Sequence, residues 1–109
     1  MSRLERVGVL IQRELAEILR RRIDSPKIGF ISFTRVRLSP DLEVAWVYYS
    51  QLGSEAQKLE TMNELKRLKK VIRFELGKVL SMKVVPELRF AYDDSLEFLD
   101  KMKDFHADQ

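Results

Sequence analysis

Between positions 66 and 83 the chain carries Lys66, Arg67, Lys69, Lys70, Arg73, Lys78 and Lys83 against one acid, Glu75. Ammonium and guanidinium groups at that density neutralise phosphates and displace the counterions condensed on nucleic acid. The chemistry on offer is polyanion binding. At about 100° per residue, Lys66, Lys69, Lys70 and Arg73 share one arc of a helix. Leu65, Leu68, Ile72, Leu76 and Val79 occupy another arc, so the basic stripe does not compete with the apolar one. A solvated helix face explains the same pattern without a ligand.

Arg20, Arg21, Arg22 and Lys27 form a second basic cluster. The end of a helix accounts for it equally, because cations there suit the helix dipole. Arg35 and Arg37 share a strand face and are candidates to extend a nucleic-acid footprint, as Lys78 is at the end of the basic stripe. Solvent-facing charge is the plainer explanation for all three. Trp46 and Tyr48 have rings that can stack on unpaired bases. Packing in the core or against a neighbouring element is the preferred reading for them, and core packing for Phe30, Phe33, Phe74 and Phe90. The four methionines read as packing filler.

Other chemistries lack their residues. Cysteine is absent and the one histidine, His106, lies three positions from the last residue. That excludes disulfides, thiolate metal sites, a cysteine nucleophile and a multi-histidine centre. Asp93, Asp94, Glu97 and Asp100 lack the spacing of an oxygen-ligand loop. Helix capping by Asp93 and a favourable dipole explain the first two. No glycine-rich phosphate loop or nucleophile elbow is visible. The expectation is a protein that is not an enzyme and takes no metal or cofactor. No apolar run approaches the ~20 residues of a membrane span, nor does the start read as a signal peptide. The cytoplasm is the expected compartment, with no membrane contact.

The elements that must carry these residues fit within 109 residues at net charge +3, one domain's worth of chain. Leu4, Val7, Leu10, Ile11, Leu15, Ile18 and Leu19 recur at helical steps and predict a helix over 3–23. Ser2 and Glu5 form a capping-box pattern at its start, and Ser25-Pro26 ends it. Residues 28–38 predict a strand, with Thr34, Val36 and Leu38 on one face and Arg35 and Arg37 on the other. Ser39-Pro40-Asp41 is the turn. Residues 42–51 form the hairpin partner, with Ala45, Val47 and Tyr49 on one face and Val44, Trp46 and Tyr48 on the other, both apolar. Residues 55–80 read as one long helix or two in series. Residues 84–92 form a third strand, and a short acidic helix over 95–104 follows. The result is an α+β fold, a three-stranded sheet with helices packed on one face.

In order and spacing, several short motifs resemble the ribosome-binding factor A family. They are Ser25-Pro26-Lys27-Ile28-Gly29, Ser39-Pro40-Asp41-Leu42, Ala45-Trp46-Val47-Tyr48-Tyr49-Ser50, Val71-Ile72-Arg73, and the run from Pro86 to Ser95. The resemblance covers about Val7 to Ser95. It implies a single KH-like domain of the type II order α-β-β-α-α-β over 1–94, with an acidic tail over 95–109. It implies binding to 16S rRNA in the small ribosomal subunit or its precursor during late maturation, in the cytoplasm of a bacterium, without catalysis and with a link to growth in the cold. A monomer is expected. The alternative is a protein–protein module, or a homodimer joined through the Trp46/Tyr48 face.

The family's helix–kink–helix is built around Ala-x-Gly, and the matching positions here are Leu68-Lys69-Lys70. The helix therefore either runs straight or bends without glycine. The family's Asp-Pro-Arg is Ser25-Pro26-Lys27 here, which removes arginine's bidentate phosphate option.

Overall fold

In the computed structural model, which describes residues 1–95, two helices cover one face of a three-stranded sheet. The elements are α1 (Arg3–Arg21), β1 (Ile31–Leu38), β2 (Val44–Gln51), α2 (Glu55–Val79) and β3 (Glu87–Tyr92). The expected acidic helix over 95–104 lies, from residue 96 on, outside the described residues.

Each helix begins at a built cap. The Ser2 hydroxyl accepts from Glu5 N at 3.2 Å. The Ser2 hydroxyl in turn donates to the Glu5 carboxylate at 3.2 Å, so the reciprocal half of the expected box is made to the side chain. At α2 both halves of a capping box are present: Ser54 Oγ accepts from Gln57 N, and Ser54 N donates to Gln57 Oε1 at 2.8 Å. One orphan amide is satisfied by a side chain at α1 and two at α2, which fixes where each helix begins.

The type II order calls for two helices in series after the hairpin. The chain has one, continuous over 25 residues. Leu68, Lys69 and Lys70 are all good helix formers. Without glycine no residue here favours leaving helical geometry, and the helix runs on through this point without interruption.

The sheet order is β1-β2-β3. β1 and β2 pair antiparallel through the Ser39–Val44 turn, while β2 and β3 pair parallel, with α2 as the crossover. Along β2, Ala45, Val47, Tyr49 and Gln51 are buried and alternate with half-buried Val44, Trp46, Tyr48 and Ser50. The buried set meets Ile11, Leu15 and Ile18 of α1 and Leu65, Ile72 and Leu76 of α2 in a single core. Burying each of these large aliphatic side chains contributes roughly 2 kcal/mol.

β1 departs from the expected alternation. The register shifts between Phe33 and Arg35, leaving Thr34 as an extra residue. Phe33 pairs with buried Tyr49 and packs on the core, while Thr34 is exposed. The inward set is therefore Ile31, Phe33, Val36 and Leu38. Val36 and Leu38 keep their expected face and Arg35 and Arg37 theirs; only Thr34, the inserted residue, leaves the face expected for it.

α1 approaches β1 closely at Gly8. A Cβ built there would lie 2.6 Å from the Val36 carbonyl oxygen, so only glycine allows the contact.

Candidate nucleic-acid interface

α2 turns Thr61, Glu64, Leu65, Ile72 and Leu76 toward the sheet. The opposite side is solvent-exposed and carries Lys66, Arg67, Lys70, Val71, Arg73, Phe74 and Lys78. Lys66, Lys70, Phe74 and Lys78 follow one another at four-residue steps, a continuous row along the helix. Lys69 is half-buried at the margin. Dipole matching accounts for Lys78 in the last turn but not for the cations in the middle of the helix.

The cations of this face differ in their commitments. Lys66, Lys69 and Lys70 make no side-chain hydrogen bond or ion pair among the described residues. Arg67 donates from Nε to Glu64 Oε1 at 2.6 Å and from Nη2 to Oε2 at 3.1 Å. Glu64 is only 5% exposed and also accepts from the Ser25 hydroxyl. The Arg67 guanidinium, then Ser25, hold its carboxyl down at about 2. That arrangement anchors the segment after α1 to α2. Arg73 donates to the Val85 carbonyl and so holds the connection into β3. Lys78 pairs with Glu75 at 3.3 Å and sits 4.7 Å from the Phe74 ring centre.

The remaining sequence candidates scatter. Arg20 and Arg21 both pair with Glu17 at 2.9 Å, which compensates part of that cluster's charge. Arg22 is the C-cap residue of α1. Lys27 lines a shallow hollow with Glu60, Glu64 and Arg67, beside the first half of α2. Arg35 and Arg37 lie on the sheet face that no described helix covers, opposite α2. They do not extend the α2 stripe.

Two core assignments are corrected. Phe30 is 90% exposed and Phe74 is 66% exposed, whereas Phe33 and Phe90 do pack against the core. Phe30 precedes β1, outside the ladder that turns Ile31 inward. Phe74 sits four residues from both Lys70 and Lys78, and that spacing is the signal that puts it on the basic arc. Arg89, on the open sheet face, was the other residue missed; its neighbours depend on strand pairing, which local pattern does not reveal.

Asp93 belongs to a local hydrogen-bond cluster. It accepts from the Ser95 hydroxyl at 2.5 Å, from Ser95 N at 2.9 Å and from the Thr34 hydroxyl at 2.6 Å. Those bonds, Ser95 first, lower its carboxyl to about 2. Among the described residues there is no group of three or more acids or histidines arranged to hold a metal ion. No described helix is long and apolar enough to cross a membrane.

The family model of ribosome-binding factor A matches residues 3–105. The ribosome-binding factor A of Dictyoglomus thermophilum is 46% identical over 102 residues, 93% of this chain and 85% of that one. The Staphylococcus saprophyticus protein of the same name is 39% identical over 101 residues, covering 93% and 89%. Among solved structures, the crystal structure of ribosome-binding factor A from Thermus thermophilus superposes with a TM-score of 0.73 at 24% identity, over 82% of this chain and 93% of that one. A homology model of the Thermus thermophilus factor, fitted into a cryo-EM map of its complex with 30S, gives a TM-score of 0.68 at 24% identity, over 87% and 97%.

Proposed function

The chain belongs to the ribosome-binding factor A family, and on that premise we propose that it binds the small ribosomal subunit precursor through 16S rRNA and assists its late maturation. It does so as a monomer in the bacterial cytoplasm, without catalysing a reaction. The observation that carries this reading is the exposed face of α2, where Lys66 and Lys70 have no partner among the described residues and lead in one row to Phe74. The relative fitted into a 30S complex supports the choice of subunit.

Docking is by charge and shape. Lys66, Lys70 and Lys78 lie on phosphates, which gives affinity without base reading. Arg67 and Arg73 add charge while keeping their structural bonds. Phe74 stacks on a base or sugar between the phosphate contacts. An uninterrupted α2 presents these groups along one edge that rises about 1.5 Å per residue. Binding of this kind favours the rRNA conformation that matches the edge. Only that difference in affinity shifts an equilibrium, and a change in rRNA shape on maturation weakens the contact and releases the protein.

The test is depletion of the protein in its own host. Small subunits carrying unprocessed 16S ends should accumulate and clear when the wild-type chain is restored. Normal 16S processing after full depletion would contradict the proposal.

A further inference from the structure

The sheet face opposite the helices carries its own pattern. Strand register places Trp46 between Arg37 of β1 and Arg89 of β3. One row along, Tyr48 lies between Arg35 and Ala91, with the Arg35 guanidinium 5.0 Å from its ring centre. Trp46 and Tyr48 are half-buried by these flanking side chains, while all three arginines are exposed. Glu87 shares the face and pairs with Arg89 at 3.6 Å, and Asp93 closes one end. Cations remain in excess.

We propose that this open face binds the unpaired bases of single-stranded RNA, with Trp46 as the stacking platform and Arg37 and Arg89 on the flanking phosphates. The proposal rests on the RNA-binding reading above and adds a second, separate contact. Aromatic rings between arginines on a sheet face that no described helix covers fit bases, because every base has a π-face and every linkage a negative charge. Arg35 extends the flat surface over Tyr48, since guanidinium planes also stack on bases. Ala91 leaves the other side of Tyr48 open. A second copy of this chain fits the face poorly. An isologous contact would bring two sets of Arg35, Arg37 and Arg89 together, and like charges repel. The two positive faces lie on opposite sides of the molecule, so one chain can hold a duplex edge on α2 and an unpaired strand on the sheet.

Trp46 is the one tryptophan of the chain, so its fluorescence reports on the site directly. The experiment titrates the full-length protein with a short oligoadenylate of about eight nucleotides. Saturable quenching is expected. Binding by the Arg37→Ala/Arg89→Ala variant should be about tenfold or more weaker. With a labelled oligonucleotide, Trp46→Leu should lose binding and Trp46→Phe should keep most of it. Lys66→Glu/Lys70→Glu should leave the quenching in place. Co-sedimentation with small subunits runs alongside. A wild type that pellets with subunits but shows no quenching overturns the sheet-face proposal and leaves the subunit reading intact. Quenching without pelleting supports the sheet face and removes the subunit reading. Undiminished binding by the arginine variant, or a stable dimer that the oligonucleotide does not dissociate, overturns the proposal.

Discussion

Arg73 donates to the Val85 carbonyl twice, from Nε at 3.2 Å and from Nη2 at 2.6 Å. The bond spans the connection between α2 and β3 and fixes how that connection leaves the helix. Val85 also packs on Gly77, where a Cβ would stand 3.2 Å from Val85 Cγ2. A residue of the basic stripe is thus a structural clamp. Arg73→Ala should lower stability by roughly 1 kcal/mol. Arg73→Lys should restore only part, because an ammonium lacks the two-pronged geometry. Urea denaturation of the two variants checks this, and equal stability of Arg73→Ala and wild type would contradict it.

Gly8 supplies a second stability test. Alanine is the better helix former by about 1 kcal/mol. Its Cβ would nevertheless meet the Val36 carbonyl at 2.6 Å, and backbone cannot swing aside as a side chain can. Overpacking of this kind costs about 1–3 kcal/mol. The clash wins, and Gly8→Ala should melt below wild type in a thermal unfolding scan.

Acid should destabilise the fold in a defined window. Glu64 is held at about 2 by Arg67 and Ser25, against an ordinary value of 4.5. Asp93 is held at about 2 by Ser95 and Thr34, against 3.8. A carboxyl lowered on folding contributes fully above its unfolded value and loses that contribution as pH falls toward the folded one. Stability should therefore be flat above pH 4.5 and fall between 4.5 and about 2. Glu64→Gln and Asp93→Asn should each be less stable at neutral pH and show a shallower acid decline. Denaturation midpoints across pH 2–7 in a matched-salt buffer series test the sign.

Much of the architecture could be read locally. Alternation along β2 identified Ala45, Val47 and Tyr49 as one face, and they are the buried set. Ser2 marked the start of the first helix. The losses have one cause, dependence on partners distant in sequence. Whether Thr34 is bulged is decided by pairing with β2, so local alternation grouped it with Val36 and Leu38 although it is exposed. The alignment of Trp46 with Arg89 exists only because β3 runs parallel to β2 after a long crossover. Charge clustering found the α2 stripe. Nothing local distinguishes Lys70, which has no partner among the described residues, from Arg73, committed to Val85. Phe74 was assigned to the core by residue type although its spacing from Lys70 and Lys78 argued for the surface.

Phe74 separates stacking from charge. Phe74→Ala should weaken subunit binding by about tenfold or more, as loss of one base–aromatic stack does. The slope of affinity against salt should stay unchanged, because no phosphate contact is removed. Lys66→Glu should instead reduce both affinity and slope. Binding titrations at several salt concentrations distinguish the two, and a Phe74→Ala variant that binds as wild type would remove the stacking role.

The central claim is that the exposed face of α2 is the ribosomal contact. Its most direct test is co-sedimentation with purified small subunits at low and moderate salt, wild type beside Lys66→Glu/Lys70→Glu. Circular dichroism confirms that the variant is folded, as expected for two exposed side chains with no partner among the described residues. Wild type should pellet with subunits at low salt and much less at moderate salt. The double variant should remain in the supernatant at both. A folded double variant that pellets as wild type does would contradict the claim and move the contact off α2.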